Sequence, residues 1–192
     1  MPVSAIIGCA VLGIAWLGPL PGLVEHSFAA HMLLHMTVVG IGVPLVALGV
    51  VQRYRPALPA WLGMGASLLD LVVIWGWHAP ALHHASRTLP AALVAEQASF
   101  AAVSLVLWAA ALSGAALPGA LALFVTALHM IMLGTLIALS PRALYPGHGG
   151  DAASVLADQQ TGGLLMLGMG CVIYLGAALA RTAGVLRRTP RP

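Results

Sequence analysis

Charged residues are scarce in this chain of 192 residues, where they make up only 7% of the sequence. A soluble domain carries about 25% charge, so the composition is that of an integral membrane protein rather than a soluble core. All eight basic residues are arginines, with no lysine, and they form no basic patch with interleaved aromatics. Nucleic acid is therefore not expected as a partner.

Cysteines and catalytic motifs are also missing. The two cysteines, Cys9 and Cys171, each lie midway along an apolar run, which gives no indication of a disulfide framework. The sequence contains no HExxH motif, no phosphate-binding loop and no nucleophile–base arrangement. We therefore do not expect the protein to be an enzyme.

Long apolar runs dominate instead, since 60% of the residues are hydrophobic. Six segments are each close to the roughly 20 residues that a membrane-spanning helix needs. They cover residues 3–20, 29–51, 60–78, 91–113, 118–139 and 159–181. The first has no basic n-region and no A-x-A-like cleavage site, so we interpret it as a retained helix. The prediction is an all-α polytopic membrane helix bundle of about six transmembrane helices, forming a single domain over residues 1–192.

The distribution of arginines predicts the orientation of the bundle. Six of the eight fall on one side: Arg53, Arg55, Arg181, Arg187, Arg188 and Arg191. By the positive-inside rule, both termini of this multi-pass protein are expected in the cytoplasm. The outer side then holds seven of the eight histidines: His26, His31, His35, His78, His83, His84 and His148. Only His129 is expected near the middle of the membrane.

The stretch HMLLHM at residues 31–36 contains the most informative side chains. In a helix, His31 and His35 form one stripe, and Met32 and Met36 form a second stripe about 100° around the axis. Imidazole and thioether are ligands for copper, and thioether favours Cu(I). The alternative interpretation is structural, because a histidine at a helix start is often interfacial and methionine often fills the core.

A helical rise of 1.5 Å per residue places further soft or polar groups at a similar depth. Met132 and Met166 are expected about 10–12 Å below the outer surface, close to His35 and Met36, and His129 about 15 Å below it. We predict a metal site, with copper as Cu(I), drawn from these side chains. The candidate ligands are His31, Met32, His35, Met36, His78, His129, Met132 and Met166.

Two groups of polar residues need a separate interpretation. Asp70 is expected at the same depth as the methionines, where a carboxylate must be paired, protonated or facing water. Its candidate partners are a histidine (His35 or His129) or a bound cation, and the alternative is a protonated acid bonded to a backbone carbonyl. The triplet Asp158, Gln159 and Gln160 opens the sixth segment, where Asp158 is either a helix N-cap or a ligand.

In the second segment, Pro44 should kink the helix or free a carbonyl.

Six motifs occur in an order that resembles a known family. They are HMLLHM (31–36), Pro44-Leu45, WHAPAL (77–82), EQASF (96–100), LYP (144–146) and DQQTGGLLM (158–166). The pattern is similar to the membrane-integral CtaG family of cytochrome c oxidase assembly factors, which serve caa-type oxidases. The resemblance implies an assembly factor in the inner membrane of a bacterium, one that handles or delivers copper at the outer face of that membrane. The partners it implies are haem–copper oxidase subunits, membrane lipid and a periplasmic copper chaperone.

The chain departs from the family pattern at Leu93 and Gln97, where members usually carry histidine. If those histidines are copper ligands in the family, copper binding in this chain is weaker, differently built or absent. Two other functions remain open. One is a b-type cytochrome, in which His35 and His129 would ligate haem b across the bundle. The other is a structural subunit of an oxidase complex.

Overall fold

The computed structural model describes residues 1–146 and 150–187, and within these residues it is all-helical, with no strand. His148, Arg188 and Arg191 lie outside the described residues. The helices are α1 (Val3–Leu17), α2 (Leu20–Val24), α3 (Phe28–Thr37), α4 (Val43–Tyr54), α5 (Ala60–His78), α6 (Pro80–Thr88), α7 (Pro90–Ser113), α8 (Ala116–Ala138), α9 (Ala152–Gly170) and α10 (Gly176–Leu186). Two π-helical turns, Val38–Gly42 and Cys171–Leu175, join α3 to α4 and α9 to α10.

Five continuous helices of the described chain are long and apolar enough to span a membrane. They are Phe28–Tyr54, Ala60–His78, Pro90–Ser113, Ala116–Ala138 and Ala152–Leu186. The first predicted span forms the shorter apolar helix α1 of 15 residues, about 22 Å long at 1.5 Å per residue. The predicted all-α membrane bundle is confirmed, and its count of about six spans is approximate.

Small residues bring the helices into close contact. A Cβ atom on Gly134 of α8 would lie 2.8 Å from the carbonyl oxygen of Gly163 in α9. A Cβ on Gly8 of α1 would lie 2.7 Å from the Gly42 carbonyl oxygen. Small residues at such crossings let helix backbones approach in a membrane, where no hydrophobic force drives them together. Among the five spans, the α3–α4 helix and α8 are the most enclosed, because 56% of the residues in the apolar stretch of each are buried.

Pro44 frees a backbone carbonyl, as the sequence predicts. The Val43 N–H bonds to the Val38 carbonyl, five residues back, so the chain forms a π-helical turn. In this register the donor for the Val39 carbonyl would be residue 44, which as a proline has no N–H. The carbonyl is satisfied from other helices instead. Trp108 Nε1 and Tyr174 OH donate to it, both at 3.1 Å.

The helix containing Asp158 begins earlier than expected, and this residue does not cap it. Helix α9 starts at Ala152, and its N-cap is Asp151, whose side chain accepts from the Ser154 N–H at 2.7 Å. Asp158 lies inside α9, where its carboxylate accepts hydrogen bonds at the start of α3. Ser27 Oγ donates to it at 2.7 Å, and the backbone N–H of Phe28 also donates. Asp158 therefore caps a helix distant in sequence and ties α3 to α9.

Candidate functional site

Four histidines come together at the end of the bundle where α3 begins, and we call them the histidine cluster: His31, His35, His78 and His83. All four are buried, with at most 3% of each residue exposed. The ring centroids of His31 and His83 lie 4.9 Å apart, those of His35 and His78 lie 5.5 Å apart, and those of His31 and His78 lie 6.0 Å apart.

Three helices position these rings. His31 and His35 are one turn apart on α3 and therefore share a face. His78 is the last residue of α5, and after the extended residue Ala79 the chain enters α6 with Pro80 at its first position. Proline favours that position because its φ angle is already helical and it has no N–H to satisfy there. The chain therefore reverses direction at this point, and His83 comes to lie next to His31.

The ring of His78 is held in an orientation that suits a ligand. Its Nδ1 lies 2.6 Å from the Ile74 carbonyl oxygen, which can only accept, so Nδ1 is the protonated donor. The lone pair is then on Nε2, which has no hydrogen-bond partner among the described residues. A backbone carbonyl that fixes the tautomer of a histidine in this way is typical of metal-binding imidazoles.

Aromatic side chains enclose the cluster. Phe28 stacks on Tyr145 with 4.3 Å between ring centroids, and Phe100 contacts His35 at 4.5 Å. The Tyr145 hydroxyl donates to the His78 carbonyl oxygen at 2.7 Å, and burial raises the pKa of Tyr145, so it stays protonated. These contacts shield His31, His35 and His78 from water, whereas His83 borders an open cavity.

Gln159 places Tyr145 at the cluster. Its Oε1 accepts from the Leu144 N–H, and its Nε2 donates to the Ile137 carbonyl at 3.3 Å. The side chain thus fixes the segment that follows α8. Gln160, the next residue, is partly buried.

A buried carboxylate lies beside His31. Glu96 is 0% exposed, and its Oε2 forms an ion pair with Arg87 Nη2 at 2.6 Å. Ser86 Oγ donates to Oε1 at 3.0 Å, and Gln97 Nε2 donates to Oε2 at 3.2 Å. Burial lowers the pKa of Arg87, and the charge of Glu96 acts in the opposite direction. His31, His83 and Glu96 each offer a ligand atom, and these three atoms all lie within 4.8 Å of one another.

The methionines are divided between the interior and the surface. Met32, Met36 and Met166 are 0% exposed. Met132 is 50% exposed and lies on the outside of the bundle, so it does not join the layer that depth alone suggested. A separation of three residues turns the helix by about 300°, so with His129 facing inward Met132 is rotated about 60° away.

A second polar pair lies deeper in the bundle. His129 Nε2 is 3.3 Å from Asp70 Oδ2, and both residues are almost completely buried. Of the partners considered for Asp70, the structure therefore places His129 next to it. The neighbouring hydroxyls of Ser67 and Thr126 bond to each other at 2.8 Å.

Several residues of the site were not among the candidates from sequence. Glu96 and Arg87 were missed as a pair, although an acid two turns inside an apolar helix is itself a signal of function. His83 was placed only on the outer side with His84, and the two are adjacent in sequence. The geometry of α6 buries His83 and leaves His84 exposed.

A family model, described as cytochrome c oxidase caa3 assembly factor (Caa3_CtaG), matches residues 2–188. The match spans nearly the whole chain and includes every helix described above. No curated protein and no solved structure matches the chain.

Proposed function

The chain belongs to the cytochrome c oxidase caa3 assembly factor family, and from this premise we propose that it serves oxidase assembly by binding and passing on copper. The observation that carries the proposal is the pair His35 and His78. His35 is 0% exposed, and neither of its ring nitrogens has a hydrogen-bond partner among the described residues. His78 offers an unpaired Nε2 close by.

Unpaired buried imidazoles are costly unless a ligand compensates them. Leaving a buried polar group unsatisfied costs about 1–3 kcal/mol. Cu(I) binds two to four ligands and accepts imidazole and thioether together. His35 and His78 supply the imidazoles, and the buried thioethers of Met32 and Met36 lie on the neighbouring stripe of α3. Met166 is a further buried thioether, on α9.

Leu93 and Gln97, the two positions where the chain departs from the family pattern, are not among the proposed copper ligands. Gln97 accepts a hydrogen bond from Trp16 Nε1 at 3.1 Å and donates to Glu96. Leu93 lines a groove with Trp16 and Gln97, between α1 and α7. The proposed copper ligands come from α3 and α5, so the site does not require histidines at these two positions.

Delivery requires that copper reach the cluster from one side of the membrane. An open cavity of about 520 Å³ lies against the cluster, lined by residues that include His83, His84, Arg87 and Tyr145. With both termini in the cytoplasm of a bacterium, this cavity faces outward. Copper would then pass between a periplasmic chaperone and the subunits of a haem–copper oxidase.

The test is metal analysis of the purified protein after reduction and loading with Cu(I). The variant His35→Ala with Met36→Leu should bind less copper and leave the oxidase copper-deficient while still inserting into the membrane. Leucine conserves the volume of methionine, so the packing loss from that substitution should stay under about 1.5 kcal/mol. The control is Met64→Leu, on α5 far from His78.

The proposal fails if the double variant binds Cu(I) and supports the oxidase as well as the Met64→Leu control does. The visible spectrum of the same preparation tests the alternative function. A Soret band that shifts on reduction would indicate the b-type cytochrome and contradict copper handling.

A further inference from the structure

We infer that His31, His83 and Glu96 form a binding site for one divalent cation of the Zn²⁺ or Cu²⁺ class, and that Arg87 supplies the counter-charge to Glu96 when no cation is bound. This site goes beyond the proposed handling of Cu(I), because its ligands and the charge of its ion differ. It does not depend on that function, and it involves no redox step.

Three separate elements bring the ligands together. His31 comes from α3, His83 from α6 and Glu96 from α7, and their ligand atoms all lie within 4.8 Å of one another. A tetrahedral ion with ligands at 2.0–2.2 Å holds them about 3.4 Å apart. Side-chain adjustments of about an ångström would therefore close the site around an ion.

The ligand types favour a divalent ion over Cu(I). Two imidazoles and one carboxylate suit zinc and divalent copper, whereas Cu(I) prefers thioether and thiolate. His31 supplies an independent indication of a ligand. It is 1% exposed, and in the part of the chain that the structure describes neither of its ring nitrogens has a hydrogen-bond partner.

The two oxygens of Glu96 have different neighbours. Oε2 is held by Arg87 at 2.6 Å and by Gln97 at 3.2 Å. Oε1 lies 3.9 Å from His31 Nε2, and the hydrogen bond that it accepts within residues 1–146 and 150–187 comes from a neutral hydroxyl, that of Ser86. The oxygen that faces the histidines, Oε1, is thus the one that is not paired with Arg87, so it can ligate an ion.

Arg87 and a bound cation would compete for the same carboxylate. The arginine lies on α6, next to the open cavity that also reaches His83. Its positive charge repels a cation held a few ångströms away, and this repulsion is strong where water is excluded. Removing the charge should therefore tighten binding, whereas a purely structural ion pair would give no such gain.

The experiment uses the full chain in detergent micelles, freed of metal and titrated with Co²⁺ while the visible absorption of the ion is recorded. Wild-type protein should bind one Co²⁺ at the site, and one equivalent of Zn²⁺ should displace it. Changing a residue that only hydrogen-bonds to a metal ligand already costs about 10–100-fold in metal affinity, so losing a ligand in His83→Ala or Glu96→Gln should weaken binding by at least about tenfold. Arg87→Gln should tighten it by about tenfold or more.

His84→Ala is the matched control, since it removes the adjacent, exposed imidazole and should leave the affinity unchanged. The site is refuted if wild-type protein binds no Co²⁺, or if His83→Ala binds it as tightly as His84→Ala. Should Glu96→Gln fail to fold, the comparison of these two histidine variants still decides. Weaker binding in Arg87→Gln would refute the competing counter-charge.

The same titration separates this site from the Cu(I) site. His35→Ala with Met36→Leu should lose Cu(I) yet keep the Co²⁺ signal, because neither residue is a ligand of the divalent ion. Loss of both signals in that variant would show that there is one metal site and contradict the inference.

Discussion

Replacing Asp158 with alanine should loosen the start of α3 and thereby displace His31. The carboxylate of Asp158 accepts from Ser27 Oγ at 2.7 Å and from the Phe28 N–H. A third and longer bond comes from the Ala29 N–H at 3.4 Å. The hydroxyl of Ser27 in turn caps α3 by accepting from Ala30 N–H at 3.1 Å, so one carboxylate orders the whole first turn.

The magnitude follows from the number of bonds and their exposure. Hydrogen bonds to a charged group contribute about 1.5–3 kcal/mol each. Asp158 is only partly buried, so water can replace part of each bond. We therefore expect a loss of about 2–3 kcal/mol for Asp158→Ala, below the full sum for its two short bonds. Asp158→Asn keeps one acceptor oxygen and should lose about 1 kcal/mol.

Amide hydrogen exchange in detergent micelles measures this loss locally. The His31 N–H donates to the Ser27 carbonyl at 3.1 Å and so reports on the first turn of α3. A loss of 2 kcal/mol should speed its exchange about 30-fold. Gln160→Ala, two residues along the same helix, is the control. If Asp158→Ala exchanges at the rate of that control, the carboxylate does not hold the turn.

Three further predictions concern other parts of the bundle. Asp70→Asn should keep the fold but weaken metal retention or oxidase maturation, because it replaces the carboxyl group 3.3 Å from His129 with an amide that cannot ionise; unaltered oxidase activity would exclude Asp70 from the metal site. Tyr174→Phe should lower the free energy of unfolding by about 0.5–1.5 kcal/mol, since the carbonyl freed by the proline loses one of its two donors; an unchanged unfolding midpoint would contradict this. Reporter fusions should place Leu82 outside the cytoplasm and the C-terminus inside it, and periplasmic activity at the C-terminus would reverse the orientation.

The helical membrane fold could be predicted because it depends on composition and local chemistry. In lipid, every backbone polar group must be satisfied within the protein, so long apolar runs become helices. The consequence of Pro44 was equally local, because a residue without an N–H frees a carbonyl wherever a helix forms. Its partners, Trp108 and Tyr174, could not be predicted, since they lie 69 and 135 residues from Val39.

The boundary of α9 was misjudged for a different reason. The residues from Ala152 to Ala157 are mostly apolar, but the polar triplet that begins at Asp158 separates them from the long apolar run, so the hydrophobic signal begins about two turns late. Asp158 then looks like a cap at the edge of that signal. Its actual role depends on where α3 lies in the folded protein, and the residues around Asp158 do not encode that position.

The sequence by itself determined that this is a membrane helix bundle with histidines gathered toward one side, because apolar length and charge asymmetry are additive properties of the chain. It also determined that His31 and His35 share a face, since the helical period is the same in every α-helix. Only the tertiary structure decided that His83 enters the cluster while His84 does not, and that Met132 faces outward. These outcomes depend on the rotation of each helix and the angle of the turn at Pro80. Contacts between helices distant in sequence set that rotation, and no local pattern encodes them.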